Sequence, residues 1–129
     1  MEKKDSGKFS LKSRFRSFRF AFNGLGSLLR YEHNSRIHVL AAILVVIIAM
    51  LLRVNVIEWL LLVIVMGIVF LTELLNSAIE TIADLIEPEY SESVRRAKDY
   101  SAAAVLISAV MAVAAGCLIF IPKLLAVFF

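Results

Sequence analysis

Four polar residues lie in or just beyond one of the most apolar stretches of the chain: Glu73, Asn76, Glu80 and Asp84. Their spacings of three, four and four are those of one helical face. At about 100° per residue all four fall within roughly 80° of each other. Glu73 is flanked by Leu71, Leu74 and Leu75. A charged side chain at the bilayer centre costs about 2.5–3.5 kcal/mol on the insertion scale. A Leu or Ile returns only about 0.3–0.6 kcal/mol. Glu73 therefore cancels several apolar neighbours, and an intramembrane ionisable group of this kind is a functional candidate by default. Carboxylates in this pattern can take a proton or hold a hard divalent cation. For Glu80 and Asp84 the competing reading is an ordinary amphipathic helix that has already left the membrane.

Two further groups carry chemistry. Lys98 and Ser101 are at i and i+3, so they share a helical face, and Asp99 is one position on. Lys98 reads either as a point charge for phosphate or as a snorkelling lysine at the membrane border. Glu32, His33, Arg36 and His38 precede the first long apolar run. Glu32 and Arg36 have the spacing of a helical ion pair. The histidines are five apart, which does not align them on a helix, and both are read as interfacial. Several common chemistries have no signature. There is no GxxxxGK[ST] phosphate loop, and the Gly24-Leu25-Gly26 segment does not fit one. Protein-kinase signatures and a nucleophile elbow are missing too.

The elements that must position these residues follow from hydropathy. The chain has 129 residues, of which 60% are hydrophobic and 19% charged. The excess of apolar residues is gathered into runs, which predicts an all-α membrane protein. Residues 1–12 read as a flexible tail, too polar for a cleavable signal. Over 13–31, Phe15, Phe18, Phe22, Leu25, Leu28 and Leu29 recur at helical spacing among Arg14, Arg16 and Arg19. That pattern predicts an amphipathic helix in the membrane interface. Three membrane helices follow, at 37–52, 56–87 and 98–121. The second is expected to stop at Pro88 and the third before Pro122. Glu73 lies about 25 Å along the second span from Val56, and Glu80 about 10 Å beyond it. Both therefore sit toward one edge of the hydrocarbon.

Charge sets the expected orientation. Basic residues crowd the amino-terminal segment and return at Arg95, Arg96 and Lys98. The positive-inside rule puts the amino terminus and the second loop in the cytoplasm and the carboxyl terminus outside. The net charge of +3 then serves topology and anionic lipid rather than nucleic acid. The single Cys117 lies in an apolar run and reads as an inert thiol. A small proton-coupled exporter with Glu73 as carrier is the alternative function. It calls for a carboxylate nearer the midplane, with access from both sides.

The segment Glu73-Leu74-Leu75-Asn76-Ser77-Ala78-Ile79-Glu80, continuing to Asp84, resembles the signature of the prokaryotic diacylglycerol kinase family. So does Ala97-Lys98-Asp99 followed by Ala102-Ala103-Ala104-Val105-Leu106. The family holds diacylglycerol kinases and undecaprenol kinases. Glu32-His33-Asn34-Ser35-Arg36-Ile37-His38, Glu58-Trp59 and Ile119-Phe120-Ile121-Pro122 look more like the undecaprenol branch. The resemblance implies an ATP-dependent lipid kinase of the bacterial cytoplasmic membrane. It implies Glu73 as general base toward a membrane lipid alcohol, with Glu32 and Glu80 holding Mg²⁺ against the ATP phosphates. Lys98 would contact those phosphates, supported by Asp99 and Asn76. It also implies a homotrimer with shared active sites. Two departures stand out. Ser91 occupies a position where many relatives carry histidine. Ala102 replaces a serine found near the lipid headgroup in diacylglycerol-using relatives; as a substrate-binding residue it can pack against the acceptor but has no hydroxyl to bond it.

Overall fold

A computed structural model describes residues 10–86 and 91–129. These residues form four helices: α1 (Leu11–Tyr31), α2 (His33–Leu51), α3 (Val56–Ile86) and α4 (Glu92–Phe128). The last three are long and apolar enough to cross a membrane. At about 1.5 Å per residue, α3 is roughly 46 Å long, well beyond the ~30 Å hydrocarbon. One end of it must therefore stand in the headgroups or in water. Many large side chains of the three long helices are exposed, among them Leu60, Leu106 and Leu118. In water they would be a liability; in lipid they are solvated. The protein is an all-helical membrane protein with an additional helix before its spans.

α1 starts at Leu11, inside the stretch expected to be tail. The reason is a cap: the Ser10 hydroxyl accepts the Ser13 N–H at 3.4 Å, satisfying an end group of the helix. Residues 1–9 lie outside the described part. Phe15, Phe18 and Phe22 are exposed on α1, as a helix in a membrane interface requires. A single extended residue, Glu32, separates α1 from α2. Arg36 closes this joint. Its Nε donates to the Leu29 carbonyl at 2.8 Å and its Nη2 to the Arg30 carbonyl at 2.6 Å. Those carbonyls belong to the last turn of α1 and have no partner within it. Arg36 thus docks one helix end onto the next, where the sequence pattern pointed to a pair with Glu32.

α2 begins at His33 rather than residue 37 because Glu32 is the whole of the break. It ends in a Schellman motif. The Val54 N–H donates to Ala49 O at 3.1 Å and the Arg53 N–H to Met50 O at 3.3 Å. Arg53 takes the left-handed position with φ 48°. Val54 and Ala49, the hydrophobic contact of the motif, join Leu62 and Ile119 in a buried cluster. α3 then opens on a capping box. Glu58 N–H donates to Asn55 Oδ1 at 2.9 Å, and Asn55 N–H donates to Glu58 Oε2 at 2.7 Å. Lys123 of α4 reaches the same carboxylate at 3.0 Å.

α4 differs from expectation at both ends. It starts at Glu92, not residue 98, because Arg95 pairs with Glu92 and Asp99 at 2.7 Å each. Such i,i+3 and i,i+4 pairs support a first turn. It also runs through Pro122. Proline removes one backbone bond, a loss that membrane helices tolerate when neighbouring groups re-satisfy the backbone. Glu87, Pro88, Glu89 and Tyr90, the expected stop of the second span and the loop after it, lie outside the described residues. α3 and α4 form the most extensively packed pair, and α2 and α1 each rest on α3.

Candidate active site

The polar face of α3 meets two different neighbours. Toward α4 it forms a ladder. Thr72 Oγ1 and Ser108 Oγ are 2.8 Å apart. Ser101 Oγ donates to Asn76 Oδ1 at 2.7 Å and also lies 2.9 Å from the Lys98 carbonyl. With Asn76 Oδ1 so occupied, its Nδ2 is left to donate to Glu80 Oε1, at 3.5 Å. Lys98 Nζ reaches Asp84 Oδ1 at 3.0 Å. Ser101 and Ser108 are buried. Each rung joins residues far apart in the chain, so the ladder fixes the register of α3 against α4.

Glu73 turns the other way, toward α2. It is buried, and His38 Nε2 lies 3.0 Å from its Oε1. The contact has the distance of an ion pair but not hydrogen-bond geometry, so Oε1 receives no hydrogen bond. An acceptor left this way is costly, and in a native site it calls for an explanation. His38 also lines an apolar groove of about 370 Å³ between α2, α3 and α4. Small residues form much of its wall: Ala41, Ala42, Ala109, Ala112 and Gly116. The shape suits a hydrocarbon chain, and through His38 the groove adjoins Glu73.

The predicted residues therefore separate. Asn76, Glu80 and Ser101 come together; Lys98 joins Asp84. Asp99 pairs with Arg95 on an exposed face. Glu32 sits half-buried at the α1–α2 joint, and its side chain makes no capping bond there. Among the described residues no three His, Cys, Asp or Glu side chains gather as a metal cluster. Glu32 and Glu80 still fit a magnesium site by donor chemistry. Mg²⁺ is usually bound through one or two carboxylates, with water and substrate phosphate completing the shell. Ala102 is exposed while its neighbour Ser101 is committed to α3. Ser91 is the residue before α4 and makes no side-chain cap bond.

Three participants escaped the sequence reading. The sequence pattern makes His38 interfacial, but the packing of α2 on α3 brings it onto Glu73. Its signal was being the only ionisable residue between 37 and 51. Thr72 and Ser108 are hydroxyls in apolar runs, a weaker signal, since such groups often bond to their own helix. Both do so here as well, Thr72 to Ile68 O and Val69 O, Ser108 to Val105 O.

Comparison with known proteins agrees with this construction. The family described as prokaryotic diacylglycerol kinase matches residues 19–120. An undecaprenol kinase of Bacillus subtilis (strain 168) is 40% identical over 110 residues, covering 85% of this chain and 89% of that protein. A diacylglycerol kinase of Escherichia coli (strain K12) is 39% identical over 100 residues, covering 78% and 82%. One from Synechocystis is 36% identical over 110 residues, covering 84% of this chain and 63% of its own length. The chain belongs to the prokaryotic diacylglycerol kinase family. It is accordingly an enzyme, a lipid kinase set in a membrane, and the exporter reading is set aside.

Proposed function

We propose that the protein transfers the γ-phosphoryl group of ATP to the hydroxyl of a membrane lipid alcohol, diacylglycerol or undecaprenol. The observation that carries this reading is the buried Glu73 carboxylate, free of hydrogen bonds at Oε1 and in contact with His38, which lines an apolar groove. A lipid lying in that groove would bring its hydroxyl to the one carboxylate positioned to take a proton. As the lipid oxygen bonds to the γ-phosphorus and the bond to ADP breaks, the hydroxyl proton passes to Glu73. The products are the lipid phosphate monoester and ADP.

Phosphoryl transfer rests on positioning and charge neutralisation more than on covalent chemistry. Glu80 and Glu32 are the residues to hold Mg²⁺, which would neutralise phosphate charge when bound. Asn76, oriented by Ser101, steadies Glu80. Lys98 is within reach of phosphate once it exchanges Asp84 for it, and Asp99 belongs to the same margin of the site. The assembly proposed with this reading is a homotrimer in which neighbouring subunits share sites. The setting is the bacterial cytoplasmic membrane, with the amino terminus and the site on the cytoplasmic side.

Undecaprenol is the acceptor this reading favours. Ala102 offers no hydroxyl to a glycerol headgroup, and the Glu32–His38 and Glu58-Trp59 segments look like the undecaprenol branch. The test is phosphate transfer from labelled MgATP by purified protein to each lipid in turn. Lipid phosphate formed from either alcohol supports the kinase reading, and the ratio of kcat/KM identifies the acceptor. Magnesium-dependent ATP loss with no labelled lipid from either would overturn it.

A further inference from the structure

A base that ends each turnover holding a proton must lose it before the next. Glu73 is badly placed to do so alone. Its side chain is 3% exposed, with Leu71, Leu74 and Leu75 close to it on α3. His38 is the group that touches it, Nε2 to Oε1 at 3.0 Å, and the His38 side chain is 23% exposed. The imidazole is therefore the less buried member of the pair. His38 also lines the groove that would carry the acceptor chain.

We infer that His38 is the proton relay of Glu73, drawing the acceptor's proton off the carboxylic acid and passing it to water. This rests on Glu73 being the base. Glu73 first gains the proton of the lipid hydroxyl. The neutral imidazole of His38 then accepts it, giving a carboxylate beside an imidazolium. The imidazolium releases a proton to water, and carboxylate and imidazole are restored. No co-reactant beyond water is consumed. The intermediate costs less than a lone buried charge would, because the two charges form as a contact pair rather than singly. Histidine suits the task because its ordinary pKa lies close to neutral pH. The contact is off hydrogen-bond geometry in the free protein, as catalytic contacts often are before substrate tightens them.

His38 acts through Glu73 and is a positioning and relay residue, so its loss should slow turnover without weakening ATP binding. Steady-state kinetics of full-length His38→Ala and His38→Gln, with MgATP and the acceptor lipid, test this. Both should lose about 10²-fold in kcat, the low end of what proton transfer contributes. KM for ATP should stay within about twofold, since the nucleotide does not bind His38, and kcat is read at saturating lipid because His38 lines the acceptor groove. Gln keeps a polar contact with Glu73 but cannot carry a proton. Parental turnover in His38→Gln would overturn the relay. Imidazole and substituted imidazoles added to His38→Ala give the second readout. Recovery that rises with base strength supports proton transfer. Recovery indifferent to base strength, or none, means that His38 only fills space and overturns it. Glu73→Gln run alongside separates the two levels. If Glu73→Gln is inactive and both His38 variants are normal, the base stands and the relay falls. If Glu73→Gln is fully active, the base assignment itself falls.

Discussion

At the end of the bundle that holds the α2–α3 turn, the capping groups are paired and the apolar groups packed. Asn55 and Glu58 cap α3 reciprocally, Lys123 clamps Glu58, and Leu62, Ala49, Val54 and Ile119 close a small core. At the opposite end the same helix carries a carboxylate with an unbonded oxygen, a long Asn76–Glu80 contact and an exposed Lys98–Asp84 pair. One end is built to be stable. The other holds groups that substrates can still engage. The ladder of Thr72–Ser108 and Asn76–Ser101 joins the two, transmitting the rigidity of the α3–α4 pair up to the site. Stability and activity should therefore respond to different residues of α3.

The sharpest test of that division is Glu73→Gln. Under the kinase reading, turnover falls by about 10²–10⁴-fold, the usual worth of general-base assistance. The melting temperature should hold or rise, because a charge is removed from an apolar surrounding. ATP binding should persist. Activity within about threefold of the parent would rule out the base role.

Leu62→Ala probes the other end. Leu62 is 1% exposed, and emptying such a site costs about 2–5 kcal/mol in soluble cores. The expected outcome is a marked loss in thermal stability in detergent, with kcat at low temperature near that of the parent. An equal fall in both would show that the ends are not separable.

Ser101→Ala sits on the ladder and should show both effects in small measure. Interhelical hydrogen bonds in membranes average about 0.6 kcal/mol, with a maximum near 1.7. Losing this one also frees the Asn76 amide, so Glu80 loses a fixed neighbour. A several-fold rise in KM for ATP with a slight loss of stability is expected. Unchanged KM would detach Ser101 from the site.

The helical face on α3 was legible because a polar stripe in an apolar run has a period and a cost. The spans were legible for the same reason. Other features depend on what folds against what. Spacing within α2 says nothing of α3, so His38 gave no sign of meeting Glu73. Asn76 and Ser101 are 25 residues apart, and Thr72 and Ser108 are 36 apart, beyond any helical repeat. The start of α4 was obscured because Glu92–Arg96 looks like a charged loop until its i,i+3 and i,i+4 pairing is seen. Pro122 misled because proline's penalty was applied as in a soluble helix. The α2 terminus was hidden too, since a Schellman motif usually announces itself with glycine and here the residue is Arg53.

That last substitution for the usual residue gives the smallest prediction. Arg53 has φ 48°, where an L-residue with a Cβ pays roughly 1–2 kcal/mol and glycine pays almost nothing. Arg53→Gly removes this strain from the folded state. It also gives the unfolded chain more freedom, which offsets part of the gain. Arg53 is exposed and forms no ion pair among the described residues, so no ion pair is lost with its side chain. The Schellman bonds come from backbone atoms and survive. The net should be stabilising by about 1 kcal/mol or less. Melting in lipid or detergent checks the sign. Because the turn lies at the end of the bundle away from Glu73, kcat and both KM values should not move. A fall in stability would mean that the guanidinium contributes more than the strain costs. The basic residue would then be held there by the membrane surface rather than by the turn.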